Sequence, residues 1–239
     1  MIYLICISLF LSALLSGLAV FLFKTKKENS IKLLLAFSGA YLFAICVLHL
    51  IPDTYSSGNA SIGIYILIGF FLQILLEFFS GGIEHGHIHI HKESRHVFPS
   101  TLLISLCIHA YVEGMPLGNI AYQDINHPLF IGVLLHHIPI SFVLMSMLLQ
   151  INDGKLSAIG FLALFALMSP LGVFTSEMIG LASGEMEQYF DNIMAIVIGI
   201  LLHISTTILF ESSEYHRFNL YKFIIIIIGA GLAVLSSVL

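Results

Sequence analysis

His109-Ala110-Tyr111-Val112-Glu113-Gly114 and His136-His137-Ile138-Pro139 decide how this chain is read. Each stretch lies inside a long apolar run that predicts a membrane-spanning helix. An ionisable side chain at that depth is costly, and it usually faces a polar pathway or binds something. Three imidazoles and one carboxylate in two neighbouring apolar segments point to a cation site.

The rest of the chain makes the membrane reading firm. Of 239 residues, 58% are hydrophobic and only 10% are charged, with a mean hydropathy of +1.01. A soluble domain is typically about 45–50% apolar and about 25% charged. The fold class expected is therefore all-α, a polytopic membrane protein in one domain, 1–239. A helix needs about 20 residues to cross the hydrocarbon. Eight segments qualify: about 2–23, 31–51, 62–80, 99–119, 128–150, 156–180, 191–210 and 219–238. Short polar connections join them, the longest being a histidine-rich loop over 81–98. The apolar run at the start has no basic stretch before it, and its basic flank, Lys24-Thr25-Lys26-Lys27, comes after. A first transmembrane helix is expected there rather than a cleavable signal peptide. Cys6, Cys46 and Cys107 all fall in apolar runs without a CxxC pair, and read as small buried hydrophobes.

Lys and Arg fix the expected orientation. Lys24, Lys26, Lys27, Lys32, Lys92, Arg95, Lys155, Arg217 and Lys222 all lie in or beside connections 1–2, 3–4, 5–6 and 7–8. Those connections are expected in the cytoplasm, with both termini extracytoplasmic. The opposite side carries Asp53, Asp124, Glu185, Glu187 and Asp191. Such an acidic face either concentrates cations near an entrance or is a solvated loop surface.

His109 and Glu113 are four residues apart, so they share one face of helix 4. His136 and His137 come at nearly the same depth in helix 5, which runs the other way. Adjacent helical residues differ by about 100° in direction. If His136 faces helix 4, His137 points elsewhere, to a second subsite or a proton partner. Imidazole with carboxylate suits Zn²⁺ and similar divalent ions, whereas Mg²⁺ prefers an all-oxygen shell. The bland alternative is a hydrogen-bonded pair that only packs the bundle. Pro116 and Pro139 follow the polar residues closely, and interrupted helices often mark transporter binding sites.

Other polar residues read as parts of a pathway. His49, with Asp53, lies at the outer end of helix 2 and either guides ions inward or bonds a lipid headgroup. His203 lies near the cytoplasmic end of helix 7, with Glu211 beyond it, followed by Glu214 and His216. They form an exit route or merely pack and solvate that end. Glu77 and Glu177, near helix ends, read as side chains reaching water. In the loop Gly82-Ile83-Glu84-His85-Gly86-His87-Ile88-His89-Ile90-His91, four histidines alternate with small or apolar residues. A flexible run of His85, His87, His89 and His91 binds Zn²⁺, Ni²⁺ or Cu²⁺ loosely. No HExxH, P-loop or GxSxG is present, and nothing suggests nucleic-acid binding.

These features together resemble the ZIP (zinc/iron-regulated transporter-like) family. His109…Glu113-Gly114 is similar to its H-N/S-x-x-E/D-G, and His136-His137-Ile138-Pro139 to its H-E-I-P. His49-Leu50-Ile51-Pro52-Asp53 is similar to H-L-I/L-P-E/D, and Ser169-Pro170-Leu171-Gly172 to the P-x-G element of helix 6. The resemblance implies Zn²⁺ transport into the cytoplasm, often with Fe²⁺, Mn²⁺ or Cd²⁺ as further substrates, and no organic cofactor. It implies a transport site between helices 4 and 5, a homodimer, and a 3+2+3 bundle in which helices 1–3 and 6–8 are inverted repeats. Ala110 stands where relatives carry a polar residue, Ile140 and Ser141 follow Pro139, and Ser169 stands where some two-metal relatives have Glu. A single-metal site on His109, Glu113 and His136 is therefore expected, with His137 a fourth ligand if helix 5 unwinds at Pro139. Ligation needs neutral imidazole, so acid pH should weaken binding.

The function expected is a divalent metal transporter, not an enzyme, working by alternating access in the cell (plasma or inner) membrane. Two rivals stand beside it. One is a transport-deficient metal sensor, and the other an intramembrane metal-dependent hydrolase, for which no motif is present.

Overall fold

The computed structural model describes residues 2–22, 28–80, 100–118, 123–151, 154–182, 186–210 and 220–238. The histidine loop (His85, His87, His89, His91) and Glu211, Glu214 and His216 lie outside the described residues. Among those described, the structure is helical and holds no strand. The helices are α1 (Ile2–Leu18), α2 (Glu28–Ile45), α3 (Ile62–Ser80), α4 (Ser100–Gly114), α5 (Gln123–Ile151), α6 (Lys155–Ala182), α7 (Met186–Phe210) and α8 (Leu220–Val238). The first seven are long and apolar enough to cross a membrane, counting their continuations, and α8 adds a shorter apolar stretch, Leu220–Ser236.

Several helix boundaries differ from the sequence reading. α2 does not stop near 51. It passes through a π turn, Cys46–Leu50, and resumes as a helix over Ile51–Ser56. Ile51 donates its N–H to the Cys46 carbonyl, five residues back. Pro52 follows and has no N–H to donate, which makes the wider turn a local solution to a missing bond. Beyond it the chain turns at Gly58, whose φ of +72° favours a residue without Cβ. α4 changes to a 3-10 turn over Met115–Gly118, where Pro116 sits. α5 starts at Gln123, ahead of Pro128, and holds both Pro128 and Pro139 inside it. Tyr41 donates to the Pro128 carbonyl at 3.3 Å and braces that first stretch.

Packing sorts the helices into two groups. α2, α3, α7 and α8 pack together, mainly as α3 on α7 and α2 on α8 and α7. α1, α4, α5 and α6 form the other group, mainly as α4 on α6 and α1 on α5 and α6. The groups meet where α2 lies on α5 and α3 on α4. Within membranes, close backbone approach replaces the hydrophobic drive, so small residues gather at crossings. A Cβ on Gly69 of α3 would overlap the Ile196 carbonyl oxygen of α7, and one on Gly199 would overlap that of Ile66. The α4–α6 crossing is built alike, with Gly114 against the Ser169 carbonyl and Gly172 against that of Tyr111.

The apolar interior is divided along the bundle. One cluster gathers Leu106 and Ala110 of α4, Ile140, Val143, Leu144 and Leu148 of α5, and Leu162, Phe165 and Ala166 of α6. The other gathers Tyr41, Leu42 and Ile45 of α2, Cys46 and Leu50 of the π turn, Leu117, Leu129 and Val133, and Val173 of α6. Between them, at the same level of α4, α5 and α6, lie Glu113, His136, His137 and Ser169, all buried. The polar residues occupy the seam between two dry cores.

Candidate metal centre

His109 and Glu113 are both fully buried, one helical turn apart on α4. The i, i+4 spacing brings His109 Nε2 to 3.4 Å from Glu113 Oε1. Neither atom makes a hydrogen bond. Buried polar atoms are rarely left so, because each orphan costs about 1–3 kcal/mol. α5 crosses α4 at this level and adds His136, also fully buried. One ligand atom from each of His109, Glu113 and His136 lies within 4.8 Å of the others. The rings of His109 and His136 stand edge to face, with centroids 6.1 Å apart.

The chemistry of this set fits a divalent cation. A tetrahedral Zn²⁺ with bonds of about 2.0–2.1 Å keeps its ligand atoms about 3.3–3.4 Å apart. The unbonded pair His109 Nε2 and Glu113 Oε1 already has that separation. Two imidazoles and one carboxylate supply borderline donors with a single negative charge.

His137 is not a member of that triad. It approaches Glu113 from the other side, with Nε2 3.3 Å from Oε2. Glu113 therefore lies between two imidazoles, His109 on Oε1 and His137 on Oε2. α5 stays helical through Pro139, so His137 reaches the carboxylate without any unwinding. Ser169 stands 3.5 Å from His137 Nε2 and donates to the Ala110 carbonyl at 2.8 Å. Phe165 closes the same side, its ring centroid 5.9 Å from that of His137. Ser141, one turn along α5, is buried with a hydroxyl that has no hydrogen-bond partner.

The remaining residues singled out in the sequence are spread along the bundle. His49 lies in the π turn of α2, half-buried, and its Nε2 is buried without a hydrogen bond. Cys46, which opens that turn, is fully buried. Asp53 is half-buried in the first turn of Ile51–Ser56. His203 of α7 meets Glu77 of α3, with Nε2 3.4 Å from Oε2, and its ring stands against Phe70. Glu77 thus faces an imidazole as well as the water that the sequence reading gave it.

Gln73 was not legible as a site residue. It is fully buried on α3, and its Oε1 lies 3.2 Å from His109 Nδ1. Its one signal was position. A lone amide stands in the buried stripe Ile62, Gly69, Gln73, Leu76 and Ser80 of an otherwise lipid-facing helix.

Comparison with known proteins adds an independent finding. The pattern of the family described as "ZIP Zinc transporter" matches residues 84–237. An uncharacterised protein of Methanocaldococcus jannaschii is 25% identical over 134 residues, covering 51% of this chain and 52% of that protein. Zinc transporter ZIP9 of Micropogonias undulatus is 29% identical over 118 residues, 47% of this chain and 37% of that protein. The matched part spans about half of the first relative's length and little over a third of the second's.

Proposed function

The chain belongs to the ZIP zinc transporter family, and from that premise we propose that it carries divalent metal, Zn²⁺ foremost, across a membrane into the cytoplasm. His109, Glu113 and His136 hold one ion in transit between α4 and α5. The observation that carries this reading is the buried pair His109 Nε2 and Glu113 Oε1, unbonded at 3.4 Å, with His136 beside it. Fe²⁺, Mn²⁺ and Cd²⁺ are further substrates of the same donor set. His137 steadies Glu113 from behind.

Transport proceeds by alternating access. The site lies between two dry apolar clusters, so an ion reaches it only when the packing on one side opens. The division into α2–α3–α7–α8 and α1–α4–α5–α6 supports motion of one group past the other, carrying the whole triad on α4 and α5. An inverted repeat is supported by the same packing. Exchanging α1 with α6, α2 with α7, α3 with α8 and α4 with α5 turns α3–α7 into α2–α8, and α4–α6 into α1–α5. Both termini outside, a homodimer, ion entry past His49 and Asp53, and exit past His203 and Glu211 complete the proposal. So do a cell-membrane location and ion capture by His85, His87, His89 and His91.

Zn²⁺ uptake into proteoliposomes tests the reading. His109→Ala, Glu113→Ala and His136→Ala should each abolish uptake at normal abundance. Uptake that survives all three would sink it. A metal sensor would instead bind Zn²⁺ tightly in titration and show no flux.

A further inference from the structure

A neutral imidazole has one ring nitrogen with a proton and one with a lone pair. Only the lone pair binds metal, so the partner of the other nitrogen decides which face His109 offers. That partner is Gln73, whose Oε1 lies 3.2 Å from Nδ1. An amide oxygen only accepts, so Nδ1–H donates to it and Nε2 keeps the lone pair. Nε2 is the atom that faces Glu113. Both side chains are fully buried, so water does not compete for the bond.

The residue type matters as much as the position. Metal-binding histidines usually donate to a carboxylate, a backbone carbonyl or water, and that partner fixes the tautomer and raises the ring's basicity. A carboxylate would do so most strongly and would add a second negative charge. An amide fixes the tautomer with no added charge. Its own Nε2 has no hydrogen-bond partner, so the amide is committed to one contact at some cost. The contact also crosses between the two helix groups, from α3 to α4. Ser105 Oγ, one turn before His109, donates to the Leu76 carbonyl and ties the same helices together.

Resting on the reading of His109 as a ligand, we propose that Gln73 is a positioning residue. It holds His109 with Nε2 toward the ion, and its neutrality keeps the grip loose enough for release. Its hold lasts only while α3 is docked on α4.

The test compares Gln73→Leu, which removes the acceptor, with Gln73→Glu, which keeps an acceptor and adds charge. Each full-length variant is reconstituted for Zn²⁺ uptake and labelled with ¹⁵N-histidine for NMR, with the His109 signal assigned by its loss in His109→Ala. Gln73→Leu should raise KM about 10–100-fold and turn a single Nδ1–H tautomer at His109 into a mixture. Gln73→Glu should lower KM and Vmax together. A Gln73→Leu protein with unchanged KM and an unchanged tautomer overturns the proposal. If that variant does not fold, a Gln73→Glu protein with unaltered KM and Vmax overturns it alone. His109→Ala and Glu113→Ala serve as controls. If they abolish uptake while the Gln73 variants behave as the parent, only the role of Gln73 fails. If they transport normally, the site reading fails with it.

Discussion

At the scale of single residues, Glu113 carries the arrangement. It is the only carboxylate in the buried triad, and it faces an imidazole through each oxygen. Glu113→Gln keeps the shape and removes the charge, so Zn²⁺ uptake should vanish while the folded protein persists, as size-exclusion profiles in detergent would show. His136 and His137 should separate sharply. His136→Ala is expected to abolish uptake, and His137→Ala to leave measurable uptake with a raised KM. Equal loss from both would contradict the division drawn between them. The pairing of His109 with Glu113 was legible because helical spacing alone brings i and i+4 together. Helical spacing alone did not say which of two adjacent histidines joins them, because that depends on how α5 is rotated against α4; the family resemblance pointed to His136, which the structure groups with His109 and Glu113. Gln73 was hidden for a related reason. A neutral amide in an apolar run has no charge to draw attention, and its partner lies 36 positions away.

At the scale of elements, the eight helices, seven of them long and apolar enough to cross a membrane, were legible because each is an apolar run between polar connections. Their fine structure was less so. Proline reads as a break, yet α5 runs through Pro128 and Pro139, and α2 answers Pro52 with a π turn. Tertiary support decides whether a lost hydrogen bond ends a helix, and sequence spacing does not carry that support. The glycine crossings offer a clear test. At the α4–α6 contact, Gly114→Val sets a branched side chain against the Ser169 carbonyl. Overpacking typically costs about 1–3 kcal/mol, and backbone resists more than side chain does. The variant should unfold at lower temperature in detergent, whereas Gly160→Ala, which meets open space, should not. Equal melting of the two would remove the argument for a tight crossing.

At the scale of the whole molecule, the two groups interleave along the chain. The repeat halves expected from the sequence, helices 1–3 and 6–8, each contribute to both groups. Only contacts reveal this, since nothing in a helix's own periodicity names its neighbour. Motion between groups makes a prediction in a background with Cys6, Cys46 and Cys107 replaced by Ala. Gly39→Cys with Ile208→Cys joins α2 to α7 inside one group, where a Cβ on Gly39 lies 3.2 Å from that of Ile208. Leu42→Cys with Gly132→Cys joins α2 to α5 across the groups, where a Cβ on Gly132 lies 2.7 Å from the Leu42 side chain. Bridging the second pair with a short thiol cross-linker should stop uptake, and bridging the first should spare it. The reverse pattern would refute the grouping as a moving unit.

The single carboxylate of the triad has an electrical consequence. With both histidines neutral, the empty triad carries one negative charge and the loaded triad one positive charge. A unit charge crossing the full membrane potential gains or loses about 2.3 kcal/mol per 100 mV. An inside-negative voltage therefore draws the loaded site inward and drives the empty site back out, so both halves of the proposed cycle run with the field. Uptake into vesicles should rise when a potassium gradient with valinomycin makes the lumen negative, and fall when the gradient is reversed. A triad holding a second acid would be neutral when loaded, and voltage would act on its return alone.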